Sequence, residues 1–139
     1  MLALEVLPLP VTDINRALVF YVEQAGFTLD VDYCPTADFR VVQLTPPGSM
    51  CSIQLVTADS PCRVHNLYLV TNDVADARAK LIARGVAVGP IRHKDPVETW
   101  AGNWSAGLDP KRRDYASVAG FTDPDGNTWI VQERGHQTS

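Results

Sequence analysis

The side chains of this chain that could do chemistry are few and scattered. Its three histidines, His65, His93 and His136, share no short spacing. No serine or cysteine has a recognisable activating partner of the kind that nucleophilic catalysis needs. Cys34, Cys51 and Cys62 are odd in number and form no C-x-x-C pair. That argues against a disulfide framework or a structural zinc site, and for a reducing compartment. Cys51 lies in an alternating run and reads as a small buried hydrophobe. The acid–base candidates are His93, on a loop, with Glu98 and Tyr115; His136 belongs to a polar tail. Trp100 and Trp104, four apart, share a face if their segment turns helical. They could stack on a planar ligand, cover a pocket mouth or line a dimer seam. Lys111-Arg112-Arg113 reads as a solvated run, with a carboxylate contact by Arg113 as the sharper alternative.

Composition narrows the setting for such groups. The 139 residues, 45% of them hydrophobic, fit one soluble domain with a core of its own. A net charge of −4 gives no reason to expect nucleic-acid or anionic-membrane binding, though it is compatible with a cationic ligand. The apolar start, Met1 to Pro10, has no basic leader, is interrupted by Glu5, Pro8 and Pro10, and is too short for a signal peptide or a span. A cytoplasmic protein is expected.

The elements that must position these residues come in a repeated order. Leu4 to Val11 alternates as a strand, with its prolines suited to a sheet edge or strand end. Asp13 caps a helix over 14–24 whose apolar face is Ile14, Ala17, Leu18, Tyr21 and Val22, and Gly26 stops it. Strand-like runs follow at 27–33, 39–45 and 50–56, with the turn Pro46-Pro-Gly-Ser49 between the last two. Residues 57–62 read as a connector. Then come a strand over 64–70, a Thr71-Asn-Asp73 cap, a helix over 74–84 ended by Gly85, and strands at 86–91, 115–121 and 128–132.

The letters repeat as well as the order. Asp13-Ile14-x-x-Ala17 matches Asp73-Val74-x-x-Ala77, and Gly26 answers Gly85 with a one-residue slip. Thr45-Pro-Pro-Gly48 echoes Thr122-Asp-Pro-Asp-Gly126, and Gln54 and Gln132 stand at equal distances from those glycines. Internal duplication decides the fold. It predicts an α+β domain of two βαβββ modules, module one at 1–57 and module two at 62–135, forming a curved mixed sheet around a cleft.

The tracts Leu9-Pro-Val-Thr-Asp-Ile-Asn-Arg-Ala-Leu-Val-Phe-Tyr21…Gly26-Phe27 and Phe121-Thr-Asp-Pro-Asp-Gly-Asn-Thr-Trp129 resemble the signatures of the vicinal oxygen chelate superfamily. That superfamily includes glyoxalase I, the bleomycin-resistance proteins and the extradiol dioxygenases. The resemblance covers nearly the whole chain apart from 92–114. It implies, in metal-using members, a His or Glu on the first strand of each module and a carboxylate on the last. Counted from Asp13, Asp73, Gly126 and Gly48, those positions fall on Val6, Asn66, Ile130 and Ser52, with Gln54 next on that face. Two have no donor atom and the others are weak neutral donors, so no metal and no cofactor is expected. Glu5 and His65 are adjacent to the expected positions, and Glu133 lies near the end of the last strand. Turning them inward needs a one-residue slip that also flips Leu7, Leu9, Leu67 and Leu69 into the cleft. Glu5 and His65 are therefore placed at a strand end or a subunit contact.

With alternation kept, the cleft presents Val6, Pro8, Ser52 and Gln54 from the first module, and Asn66, Tyr68, Ile130 and Gln132 from the second. Tyr115 and Ser117 follow on that face. Such a lining, apolar with a few amides and hydroxyls, suits a neutral or aromatic organic molecule; alternatively the amides of Gln54, Asn66 and Gln132 bond one another and fill it. A long segment such as 92–114 reads as a lid, a binding loop or a disordered excursion. The expected ligand-binding residues are Ser52, Gln54, Asn66, Tyr68, Trp100, Trp104, Tyr115 and Gln132. The leading expectation is a metal-independent protein that binds an aromatic or polycyclic compound, with a resistance or biosynthetic role. The resemblance adds the expectation of a homodimer and of drug binding. The alternatives are a metal-free isomerase, cyclase or lyase using Tyr115, His93 or Glu98, and a metal-dependent lyase or dioxygenase with a displaced site.

Overall fold

The computed structural model of the chain describes residues 1–60, 62–95 and 103–137. It divides into two compact units, Met1–Val64 with Asp123–Gly126, and His65–Thr122 with Asn127–Ser139.

In the first unit, β1 (Val6–Val11) leads through Asp13 into α1 (Ile14–Leu18), and β2 (Thr28–Thr36), β3 (Phe39–Thr45) and β4 (Ser52–Thr57) follow. The strand order is β1-β4-β3-β2, with β1 parallel to β4 and the other pairs antiparallel. Asp13 caps α1 by accepting the Arg16 N–H, at 3.1 Å, which satisfies one of the amides a helix start leaves open. Beyond Leu18 the helix widens into a π-helical stretch, Val19–Gln24, closed by the Ala25 N–H on the Phe20 carbonyl. The one-residue slip between the repeats is housed there. Asp13 to Gly26 holds one residue more than Asp73 to Gly85, and wider turns take up the excess while both ends stay in place. Gly26 has φ +81°, the left-handed geometry its place after the helix requires.

The turn Asp123-Pro-Asp-Gly126 belongs to this first unit. Tyr21, wholly buried, donates its hydroxyl to Asp123 at 2.6 Å. Asp125 accepts both the N–H and the hydroxyl of Thr12, and Arg16 donates to the Pro124 carbonyl. These bonds explain the pairing of acidic residues with a turn glycine in the second signature tract.

The second unit repeats the plan and extends it. β5 (Leu67–Thr71), α2 (Val74–Ala83), β6 (Arg92–Lys94), β7 (Trp104–Ala106), β8 (Ser117–Thr122) and β9 (Thr128–Glu133) give a sheet ordered β5-β9-β8-β6-β7. Again the first strand runs parallel to the last and the rest are antiparallel. The fold is α+β with a βαβββ plan in each unit, as the duplication predicts.

Two expectations need correction. Residues 86–91 do not form a regular strand. Val86 and Val88 alternate because they are buried, but only Val88 bridges to Phe121, and Pro90 brings no N–H to carry a ladder onward. The strand starts at Arg92 instead. Nor is the described part of 92–114 a structureless loop: β6 and β7 pair as an antiparallel ribbon that extends the sheet. Trp104 is thus on a strand, so no helical face pairs it with Trp100, which lies outside the described residues. Glu98 lies outside them too.

Candidate functional site

The second sheet carries the candidate site. Along β9, Trp129, Val131 and Glu133 are buried, while Ile130 and Gln132 are half-exposed on the other face. Glu133 fixes which face is which: its carboxylate accepts the Val74 N–H at the start of α2. Ile130 and Gln132 therefore look away from the helix. There they border a cavity of about 260 Å³ lined also by Asn66, Tyr68, Arg92, Lys94, Trp104 and Val118.

Each neighbour is placed by register. Tyr68 stands beside Ile130 on β5, and Lys94 is directly opposite Trp104 across the β6–β7 pair. Arg92, two residues before Lys94, shares its face and is opposite Val118. The Arg92 guanidinium lies 4.5 Å from the Trp104 ring centroid, a cation–π contact that orients the indole. Trp104 and Tyr68 stay 43% and 62% exposed, so both rings have free faces. Lys94 is nearly buried, at 6%, and burial lowers the pKa of its ammonium group. Asn66 enters β5 with φ +61°, which asparagine tolerates better than most residues, and its N–H donates to Thr128 Oγ1 at 2.7 Å.

Four of the eight expected ligand-binding residues therefore meet in one cavity: Asn66, Tyr68, Trp104 and Gln132. Tyr115 does not line it. Its backbone turns at φ +65°, its carbonyl accepts the Gln132 side-chain N–H at 3.2 Å, and its hydroxyl is 3.5 Å from Arg134. Ser52 and Gln54 lie in the first unit. Ser52 is buried 2.6 Å from Thr45 Oγ1, which in turn donates to Asp30. Gln54 borders a more open hollow with residues 12–15 and 37–40. Trp100 is outside the described residues. Arg92 and Lys94 are not among the residues expected from the sequence, because 92–114 reads there as a loop; the Arg-x-Lys alternation is the available signal.

The other chemical candidates are accounted for differently. His93 alternates away from Lys94, and its Nδ1 is 2.8 Å from the Gly107 carbonyl, a contact that makes that nitrogen a donor. Lys111 is exposed, but the two arginines of the basic run are paired: Arg112 grips Glu133 at 2.7 and 2.8 Å, and Arg113 grips the buried Asp109 at 2.9 and 3.0 Å. Glu133 is thereby committed to an ion pair and a helix start. Glu5 and His65 are exposed. Among the described residues no three His, Cys, Asp or Glu side chains gather where they could hold a metal ion. Val6, Ser52, Asn66 and Ile130 do not fit a divalent cation, offering no anionic or imidazole ligand.

The sequence pattern of the Glyoxalase/Bleomycin resistance protein/Dioxygenase superfamily matches residues 3–131. The chain belongs to this superfamily. Among solved structures of the superfamily type, it is similar to TnmS3, an antibiotic binding protein from Streptomyces sp. CB03234, with 30% identity over 96% of each chain and a TM-score of 0.70. A glyoxalase/bleomycin resistance protein from the same Streptomyces is also 30% identical, over 94% of this chain and 100% of that one, with a TM-score of 0.68. A superfamily member from Sphaerobacter thermophilus DSM 20745 shares the fold at 23% identity, over 96% and 98% of the two chains, with a TM-score of 0.69. No curated protein matches the chain significantly.

Proposed function

We propose that the chain is a metal-independent member of the superfamily that binds an aromatic or polycyclic organic compound in the cavity of its second unit, in a resistance or biosynthetic role. The observation that carries this reading is the wall built by Tyr68, Trp104 and Ile130, apolar and partly open, with the amides of Asn66 and Gln132 at its edge. The 30% identity to an antibiotic binding protein supports it. At about 260 Å³ the cavity is smaller than a site for a whole drug-sized molecule, so it suits one ring system or one end of a larger ligand. Metal independence rests on the donor chemistry at Val6, Ser52, Asn66 and Ile130, which a divalent ion would not select.

A homodimer is part of the proposal. Val31 and Tyr33 share one face of β2, each more than a third exposed, and present an apolar patch that a second copy would cover. Sedimentation should then give about twice the 15.2 kDa chain mass, and Val31→Asp should halve it. A cytoplasmic setting agrees with three free cysteines, and no described helix is long and apolar enough to cross a membrane.

Native mass spectrometry of the purified protein, followed by titration with a panel of planar aromatics, tests the binding reading. Ligand recovered unchanged supports it; ligand converted to product would move the chain among the enzymes, and no binding at all would overturn it.

A further inference from the structure

The cavity beside Trp104 has a neighbour. Asn66 and Ile130, which line it, also border a second hollow of the same unit, about 660 Å³, together with His65, Ala87, Gly89 and Gly120. Among the described residues that line this hollow there is no lysine, arginine, aspartate or glutamate, so it suits an uncharged group. Gly120 lies on the sheet face of Ile130: a side chain added there would begin 3.6 Å from Ile130 Cδ1 and 3.4 Å from the Trp129 carbonyl oxygen. Both are ordinary contact distances, and the φ of Gly120 lies outside the left-handed region. Neither packing nor backbone conformation therefore requires glycine at this position. A glycine inside a strand weakens it, and one that the fold does not need marks a surface left bare for close approach. Gly89, whose N–H donates to the Gly120 carbonyl at 2.8 Å, continues the same bare floor.

We propose that this hollow is a second subsite for the same ligand, an elongated compound of two planar ring units joined by a short polar link, and that Gly120 decides which compounds fit. The proposal rests on the aromatic-binding reading above and adds the ligand's length and its joint. The smaller cavity, about 260 Å³, takes one ring against Trp104 and Tyr68. The second ring lies flat over Gly120 and Gly89, where bare backbone admits it more closely than any side chain would. The larger hollow alone falls within the roughly 300–1,000 Å³ of ordinary ligand sites. Whatever joins the two rings passes Asn66, which the Thr128 hydroxyl oxygen holds by its backbone N–H at 2.7 Å. The Asn66 amide carries donors and an acceptor, so a carbonyl or N–H in the link finds a partner there. An apolar link would strip water from that amide and return nothing.

Calorimetric titration with 2-naphthamide and with N-phenyl-2-naphthamide tests this. The second probe carries an added ring across the same amide. Wild-type protein should bind it roughly tenfold more tightly, the scale of one further ring contact. Gly120→Leu fills the floor and should bring the ratio of the two affinities close to one, with folding checked by thermal melting. Gly120→Ala adds only a methyl at ordinary contact distance; it should lower the ratio part of the way, and it decides alone if the leucine variant does not fold. Trp104→Ala should weaken both probes and keep the ratio, because its ring serves the other subsite. Equal wild-type affinities, or a ratio that the folded Gly120 variants leave unchanged, overturn the second subsite while single-ring binding stands. If neither probe binds, both readings fall together.

Discussion

Arg112 and Glu133 form a two-pronged ion pair, with Nε 2.8 Å from Oε1 and Nη2 2.7 Å from Oε2. The second oxygen also accepts the Val74 N–H at 2.9 Å, and Arg112 reaches Asp73, the cap of α2, at 3.5 Å. One arginine therefore ties the end of the last strand to the start of a helix. Glu133 has no exposed side-chain surface, so removing its partner leaves a buried charge uncompensated.

Arg112→Leu should accordingly destabilise the fold by about 3–5 kcal/mol, the usual scale for breaking a buried pair. Urea unfolding measures it. A loss below about 1 kcal/mol would match an exposed pair and contradict this burial.

Acid should unfold the protein through two carboxylates. The Arg113 guanidinium and nearby backbone N–H groups hold Asp109 well below the usual carboxylate range. Burial pushes Glu133 up, but the hydrogen bonds from Arg112 and Val74 outweigh it and leave its pKa lowered. Both groups are depressed in the folded state, so between the folded values and roughly pH 4, where carboxylates of an unfolded chain titrate, the unfolded chain binds more protons. Their stabilisation is present above that range and is lost as pH falls through the folded values. Melting temperature should drop steadily below about pH 5, and Asp109→Asn should flatten the drop while lowering stability at neutral pH.

The two described tryptophans of the second unit should separate binding from folding. Trp104→Ala should weaken an aromatic ligand several-fold to about tenfold, the worth of a lost stacking contact, with little change in melting temperature. Trp129, 3% exposed and stacked on Phe121 at 6.1 Å, should cost about 3–5 kcal/mol of stability when cut to Ala. Unchanged affinity in Trp104→Ala would remove the indole from the site.

Much of this was legible in the chain because the relevant signals are local. Asp13 and Asp73 each accept the N–H three residues on, at Arg16 and Asp76, as a helix cap must. The alternation of the last strand puts Ile130 and Gln132 together on one face, and β9 has them so, with Trp129 and Val131 buried on the other. The sequence does not show that Arg112 is gripped, because its partner is set by the fold: Glu133 is 21 residues away, and a charged triplet looks the same whether solvated or paired. The β6–β7 ribbon escaped for another reason. Strands of three residues rich in polar side chains carry too little periodicity to register.

Gly26→Ala should cost about 1–2 kcal/mol, because a side chain at φ +81° crowds the following carbonyl. Gly26→Val should cost more, since branching worsens the crowding. Thermal melts that hardly move in either variant would mean the helix ends elsewhere in solution.

Metal analysis of protein purified without chelators should find no stoichiometric nickel, zinc, iron or manganese. Near-equimolar metal that disappears in Glu5→Ala or His65→Ala would mean that the first strands sit one residue out of the register described.

The widened turns at Val19–Gln24 also say something about ancestry. If the halves descend from one duplicated gene, a single inserted codon in the first copy accounts for the difference in helix length. A strand could not have absorbed that codon so quietly, since a shift of one position reverses every inward and outward side chain beyond it. A helix can swallow the residue within a turn and hand the chain on unchanged. At this point of the repeat, then, the helix took up the extra residue and left both of its ends in place.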